Sequence, residues 1–173
     1  MNIFLVGFMG SGKSFLGRQL AQKLNYSFIE TDDWIAHGEG KSISRIFLDE
    51  GETYFRNKEA EFLYYLQTVQ FCIIATGGGM PCYANNMDRM NAMGITLWLD
   101  TEEEILLERL EKQKEHRPML ANANDLKTSI HRLLDNRRLF YHMAHAIIKN
   151  PTIDSLFSVA SPIVNRQSSI VNQ

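Results

Sequence analysis

Gly7–Ser14 reads "GFMGSGKS" and follows directly on the apolar run "NIFLV" of Asn2–Val6. A short apolar run closed by glycine predicts a strand buried on both faces. Behind the glycines, "KSFLGRQLAQKLN" places Phe15, Leu16, Leu20 and Leu24 at helical spacing. Strand, glycine loop and helix form the setting in which the pattern G-x-x-x-x-G-K-[ST], met by Gly7, Gly12, Lys13 and Ser14, cradles phosphate. Glycines let successive amide N–H groups turn toward phosphate oxygens, and the helix N-terminus adds a favourable dipole. The Lys13 ammonium then reaches the β- and γ-phosphates, and the Ser14 hydroxyl suits Mg²⁺, which takes oxygen donors. The stretch therefore predicts a nucleotide site, and the rest of the chain must supply an acceptor for the phosphate.

Further along, "YSFIET", "FCIIATGGG", "GITLWLD" and "HAIIK" read as four more short strands separated by segments of helical periodicity. Alternation of this kind predicts an α/β protein with a parallel sheet covered on both sides. "EEEILLERLEKQK" opens with acids and closes with lysines, as the helix dipole favours. The polar "KQKEHRPMLANAND" that follows is long for a connector and reads as a mobile lid, about residues 112–125. One domain over residues 1–165 is expected, with 166–173 as a frayed tail.

Composition narrows the function classes. The chain has 173 residues, 45% hydrophobic and 22% charged, enough for one full core. Its formal net charge of -2 provides no broad basic field for nucleic acid or an anionic membrane, so any bound anion must be caught by local arginines. No apolar stretch approaches the roughly 18 residues of a membrane span. Cys72 and Cys82 have neither CxxC nor zinc spacing. A monomer in the reducing cytoplasm is expected.

Three groups of residues can carry chemistry beside the cradle. "IETDDWIAHG" puts Glu30, Asp32 and Asp33 at the carboxyl end of the second strand, the edge where open α/β sheets bind ligands. In extended backbone Glu30 and Asp32 share a face, where a carboxylate can order magnesium waters or accept a proton from an attacking hydroxyl. Helix capping by Thr31, Asp32 or Asp33 is the competing use. "ATGGGM" ends the third strand with Gly77, Gly78 and Gly79, which admit a ligand close to the backbone. No aspartate closes that strand, so the acid near the metal must come from Glu30 or Asp32. Finally, Arg56, Arg117, Arg137 and Arg138 can grip a small acid and steady a moving phosphoryl group if the fold gathers them.

In order, "GFMGSGKS", "ETD", "YFR", "TGGG", "RPML" and "RRLFY" resemble the shikimate kinase family, from about residue 3 to residue 148. The resemblance implies a three-layer P-loop fold of the nucleoside monophosphate kinase type, with a five-stranded parallel sheet of order 2-3-1-4-5 and a mobile lid. It implies ATP-dependent phosphorylation of the 3-hydroxyl of shikimate, with Mg²⁺, in aromatic amino acid biosynthesis. By the same resemblance Gly10, Ser11, Gly12, Lys13, Ser14 and Phe15 serve ATP, and Ser14 binds the metal with Glu30 behind it through water. Asp32 binds substrate hydroxyls and is the candidate base. Arg56 and Arg137 clasp the substrate carboxylate beside Gly77, Gly78 and Gly79. Arg117 reaches the phosphates from the lid, and Arg109 stacks on adenine. Two departures stand out: Glu30 where the family has aspartate, and Met119 where the lid motif has leucine. A kinase of gluconate or nucleoside monophosphates, and a nucleotide-gated switch protein, are the alternatives on the motifs alone.

Overall fold

The computed structural model describes residues 1–112 and 126–171. The expected lid, with Arg117 and Met119, lies outside the described residues except for Lys112 at its start. The apolar run forms β1 (Asn2–Val6), all five residues of it buried. Gly12, in left-handed backbone at φ 93°, turns the chain into α1 (Lys13–Leu24). The remaining expected strands are β2 (Ser27–Glu30), β3 (Cys72–Ala75), β4 (Gly94–Asp100) and β5 (Ala146–Lys149). All neighbours pair in parallel, in the order β2-β3-β1-β4-β5.

Between β2 and β3 lie α2 (Thr31–Glu39), α3 (Ile43–Asp49) and α4 (Gly51–Tyr65). α5 (Asn86–Met93) precedes β4, and α6 (Glu103–Glu111) and α7 (Leu126–Tyr141) follow it. The last helix, α8 (Ile153–Val171), carries helical backbone into the segment expected as a tail.

Side-chain alternation along β1 splits the core in two, because successive residues of a strand point to opposite faces. Phe4 and Val6 join Phe62, Leu106, Leu134 and Tyr141 from α4, α6 and α7. Ile3 and Leu5 join Leu16, Leu20, Leu156 and Ala160 from α1 and α8. A smaller cluster of Ile35, Ile46 and Phe55 packs α2, α3 and α4 together beyond the second strand. The loops that leave β1, β2 and β3 all open at the same carboxyl edge of the sheet.

At the opposite edge, Asn2 receives the chain. Its amide donates to Val69 O at 2.9 Å and its Oδ1 accepts from Cys72 N at 3.1 Å. Beside it, a Cβ on Gly94 would lie 2.2 Å from Asn2 O, a backbone atom held by the sheet. Gly94→Ala is therefore expected to destabilise by about 2–3 kcal/mol through overpacking, lowering Tm by about 4–12 °C for a chain of this size. Thermal denaturation of the purified variant checks this; an unchanged Tm would show that the β1–β4 ladder slides freely at its start.

Candidate active site

The glycine loop closes on itself. Ser11 N donates to Phe8 O at 3.2 Å, and Leu16 N to Gly12 O at 2.9 Å. A Cβ on Gly7, at φ 140°, would lie 2.8 Å from Leu99 O, so only glycine lets β1 run into the loop against β4. The Lys13 ammonium donates to Gly7 O and Phe8 O, each at 2.8 Å, and to Ser11 Oγ at 3.4 Å. The lysine thus laces the loop together at the edge of the cleft. Arg109, from α6, donates to Gly10 O at 2.8 Å and flanks the same loop.

These groups border a cleft of about 520 Å³. Gly10, Ser11, Gly12, Lys13, Ser14, Phe15, Glu30, Asp32, Gly77, Gly78 and Arg109 all line it. The sequence assigned each of them to the site. Pro151 lines it too, in a loop where no residue was assigned a role from the sequence. Phe15 is 70% exposed at the rim, a flat apolar surface.

Glu30 and Asp32 reach the cleft by different backbone from that expected. The strand stops at Glu30 and α2 begins at Thr31, so the two do not share a face of an extended segment. Asp32 instead enters from the first turn of the helix, where a carboxylate also complements the dipole. Glu30 is the N-cap position but makes no side-chain cap bond; its Oε1 accepts from the Ser14 hydroxyl. Its Oε2 faces Arg18 Nη2 at 3.3 Å, and Arg18 reaches Asp33 at 3.5 Å while lying 4.5 Å over the Phe28 ring.

Behind the glycines lies a buried charged wall. Arg56 is 5% exposed and Arg137 7% exposed. Each glycine gives room to one charged neighbour or pair. A Cβ on Gly77 would meet Glu59 Oε1 at 2.9 Å and Asp32 Oδ1 at 3.1 Å, and one on Gly78 would meet Arg137 Nη1 at 3.4 Å. One on Gly79 would lie 2.4 Å from Arg56 Nη2. Arg138 points elsewhere and pairs with Asp135 at 3.3 Å on the surface. Four separated segments, from α2, α4, the β3 loop and α7, therefore converge at one end of the cleft.

Two residues of this wall were not singled out by the sequence. Glu59 Oε2 accepts from Arg56 Nη1 at 2.6 Å, one helical turn away on α4. Burial raises the Glu59 carboxyl to about 7, against the pull of Arg56. The i,i+3 spacing of Arg56 and Glu59 is visible in the sequence, but surface helices carry many such pairs. Tyr141, at the end of α7, donates to Gly78 O at 2.6 Å, and burial pushes its hydroxyl well above the usual range, keeping it a neutral donor. Half-buried Cys82 adjoins the same charges; burial raises its thiol to about 11, so it too is neutral.

Residues 9–167 match the family model for shikimate kinase. The chain belongs to the shikimate kinase family. A shikimate kinase from Azobacteroides pseudotrichonymphae genomovar. CFP2 is 40% identical over 92% of this chain and 97% of its own. Among solved structures, the shikimate kinase from Bacteroides thetaiotaomicron superposes with a TM-score of 0.86 at 33% identity, covering 95% of this chain and 98% of the other. The Acinetobacter baumannii shikimate kinase, solved in complex with shikimate, gives 0.84 at 33% identity over 97% and 93%. Shikimate kinases are ATP-dependent kinases, and in this chain the glycine loop and Lys13 line the cleft.

Tyr141→Phe is expected to remove the donor to the half-buried Gly78 carbonyl, at a cost of about 0.5–1.5 kcal/mol. The checking measurement is urea denaturation, with a lower midpoint at unchanged slope as the expected result.

Proposed function

We propose that this shikimate kinase transfers the γ-phosphoryl group of ATP to the 3-hydroxyl of shikimate, giving shikimate 3-phosphate and ADP. The observation that carries the residue assignments is the pair of buried guanidinium groups, Arg56 and Arg137, set against Gly78 and Gly79 beside Asp32. Arginine's rigid fork matches a carboxylate, and a small carboxylate at that end would hold the ring hydroxyls toward Asp32 and the phosphate loop. Phosphoryl transfer needs chiefly an aligned acceptor oxygen and cations around the spreading charge.

In this reading Arg56 and Arg137 bind the substrate carboxylate, with Gly77, Gly78 and Gly79 lining the pocket. Asp32 accepts the hydrogen of the attacking hydroxyl. Gly10, Ser11 and Gly12 present backbone N–H groups to the phosphates, with Phe15 at the rim. The Lys13 ammonium exchanges bonds to its own loop for bonds to phosphate oxygens. Arg109 flanks the nucleotide, and Arg117 joins the phosphates from the lid, closure of which excludes water and suppresses idle ATP hydrolysis.

The donor set suits Mg²⁺. Ser14 and Glu30 offer only oxygen at the cleft, the donor type a hard cation takes. When bound with ATP, magnesium neutralises phosphate charge. Ser14 would hold it, with Glu30 orienting the ligand shell. A cytoplasmic setting fits the two free thiols, Cys72 and Cys82, and a monomer is the simplest arrangement.

ADP release from Mg-ATP, followed with shikimate, gluconate, nucleoside monophosphates or no acceptor in parallel, tests the reading. ADP formed only with shikimate supports it; equal release with another acceptor or none overturns the pocket assignment. Arg137→Ala should lose about 1.5–3 kcal/mol, roughly ten- to 150-fold in kcat/KM for shikimate, with KM for ATP unchanged. Lys13→Ala should lower kcat at least about a hundredfold with an unaltered circular dichroism spectrum.

A further inference from the structure

Glu59 is 0% exposed, yet only one of its carboxyl oxygens has a hydrogen-bond partner among the described residues. Oε2 accepts from Arg56 Nη1 at 2.6 Å. Oε1 has none, and it faces the open position at Gly77 that Asp32 Oδ1 also faces. The charged and titratable groups acting on it come from every side. They are Arg56 on its own helix, Asp32 on α2, Arg137 on α7, and the neutral thiol of Cys82 beyond β3. Glu52, one turn back on α4, takes the outer edge of Arg56 at 2.9 Å.

The charges balance before any ligand arrives. Within the buried wall, Arg56 and Arg137 face Asp32 and an ionised Glu59. An incoming carboxylate adds a third anion against two cations, in a place where a surplus charge is poorly solvated. Glu59 is the anion that can give way. Its lone oxygen is buried without a donor, so neutralising it removes both a desolvated charge and its repulsion from Asp32.

We infer that Glu59 takes a proton from solvent onto Oε1 when the substrate carboxylate docks on Arg56, so that Glu59 positions the guanidinium for the incoming anion instead of cancelling its charge. This rests on the assignment of Arg56 and Arg137 to the shikimate carboxylate. Burial, opposed by Arg56 and reinforced by Asp32, already raises the free carboxyl to about 7. A second anion on Arg56 raises it further. The proton is thus bound more tightly in the complex, and affinity must fall as pH rises through and above neutrality.

Isothermal titration of shikimate into the wild-type protein at pH 7, in buffers of contrasting ionisation enthalpy, reads the proton directly. The expected slope corresponds to a measurable fractional uptake of protons per shikimate, with Kd weakening severalfold, on the order of tenfold, from pH 6.5 to pH 8.5. Glu59→Gln should bind with no net uptake and a flat Kd over that range. A wild-type enthalpy independent of buffer overturns the inference, and needs no variant to fold. Uptake that persists in Glu59→Gln also overturns it, by placing the proton elsewhere. Shikimate that fails to bind at any pH overturns instead the carboxylate assignment on which the inference rests.

Discussion

Everything at the cleft hangs on β1, buried along its whole length between β3 and β4. Its parallel register with both neighbours brings the loops after β1 and β3 to the same edge, and β3 carries β2 alongside. Hydrophobic burial on both faces makes this strand hard to shift, since a slip of one residue would exchange Ile3 and Leu5 for Phe4 and Val6 between two cores. The glycine loop inherits that rigidity. Gly7 lies against the Leu99 carbonyl, and Lys13 returns to the carbonyls of Gly7 and Phe8. A loop rich in glycine, entropically costly to order, is thereby held in one shape by the sheet beside it.

The other end of the cleft solves a different problem. Guanidinium and carboxylate groups resist burial unless they are paired and hydrogen-bonded. Arg56 meets this requirement with Glu52 and Glu59, and Arg137 lies 5.4 Å over the Phe8 ring. The three glycines after β3 make the assembly sterically possible, because a methyl group at Gly79 would occupy the place of the Arg56 guanidinium. Tyr141 ties α7 to Gly78. The same contacts that make the wall stable hold its charges in one orientation. They also leave Glu59 with an unsatisfied oxygen, and an unsatisfied buried group is where a protein is most responsive to a new charge.

Much of this was legible along the chain. The five strands occur at the short apolar runs, and their parallel arrangement follows from alternation with helical segments. The phosphate loop was legible because its function is local: Gly7, Gly12, Lys13 and Ser14 work through their own backbone and immediate neighbours. Most of the residues singled out beyond it, including Glu30, Asp32, Arg109 and Gly77, line the same cleft. What could not be read was the geometry of Glu30 and Asp32. Period-two reasoning holds only while the strand continues, and the turn into α2 at Thr31 ends it.

The sequence by itself determined the layered α/β class, the sheet's buried strands and the phosphate loop, because periodicity, glycine placement and motif spacing express local backbone preferences. Tertiary structure alone decided which charges meet. Arg56, Glu59, Gly79 and Arg137 are spread over α4, the β3 loop and α7; helical spacing puts Arg137, and not Arg138, in line with Ile130, Leu134 and Tyr141, but only the packed helix shows Arg137 buried while the half-buried Arg138 pairs with Asp135. One helical step of about 100° separates those two arginines. Which of them faces inward depends on how α7 is rotated against the sheet by Ile130, Leu134 and Tyr141. The role of Glu59 likewise arises from desolvation, a property of the packed interior that no single stretch of chain carries.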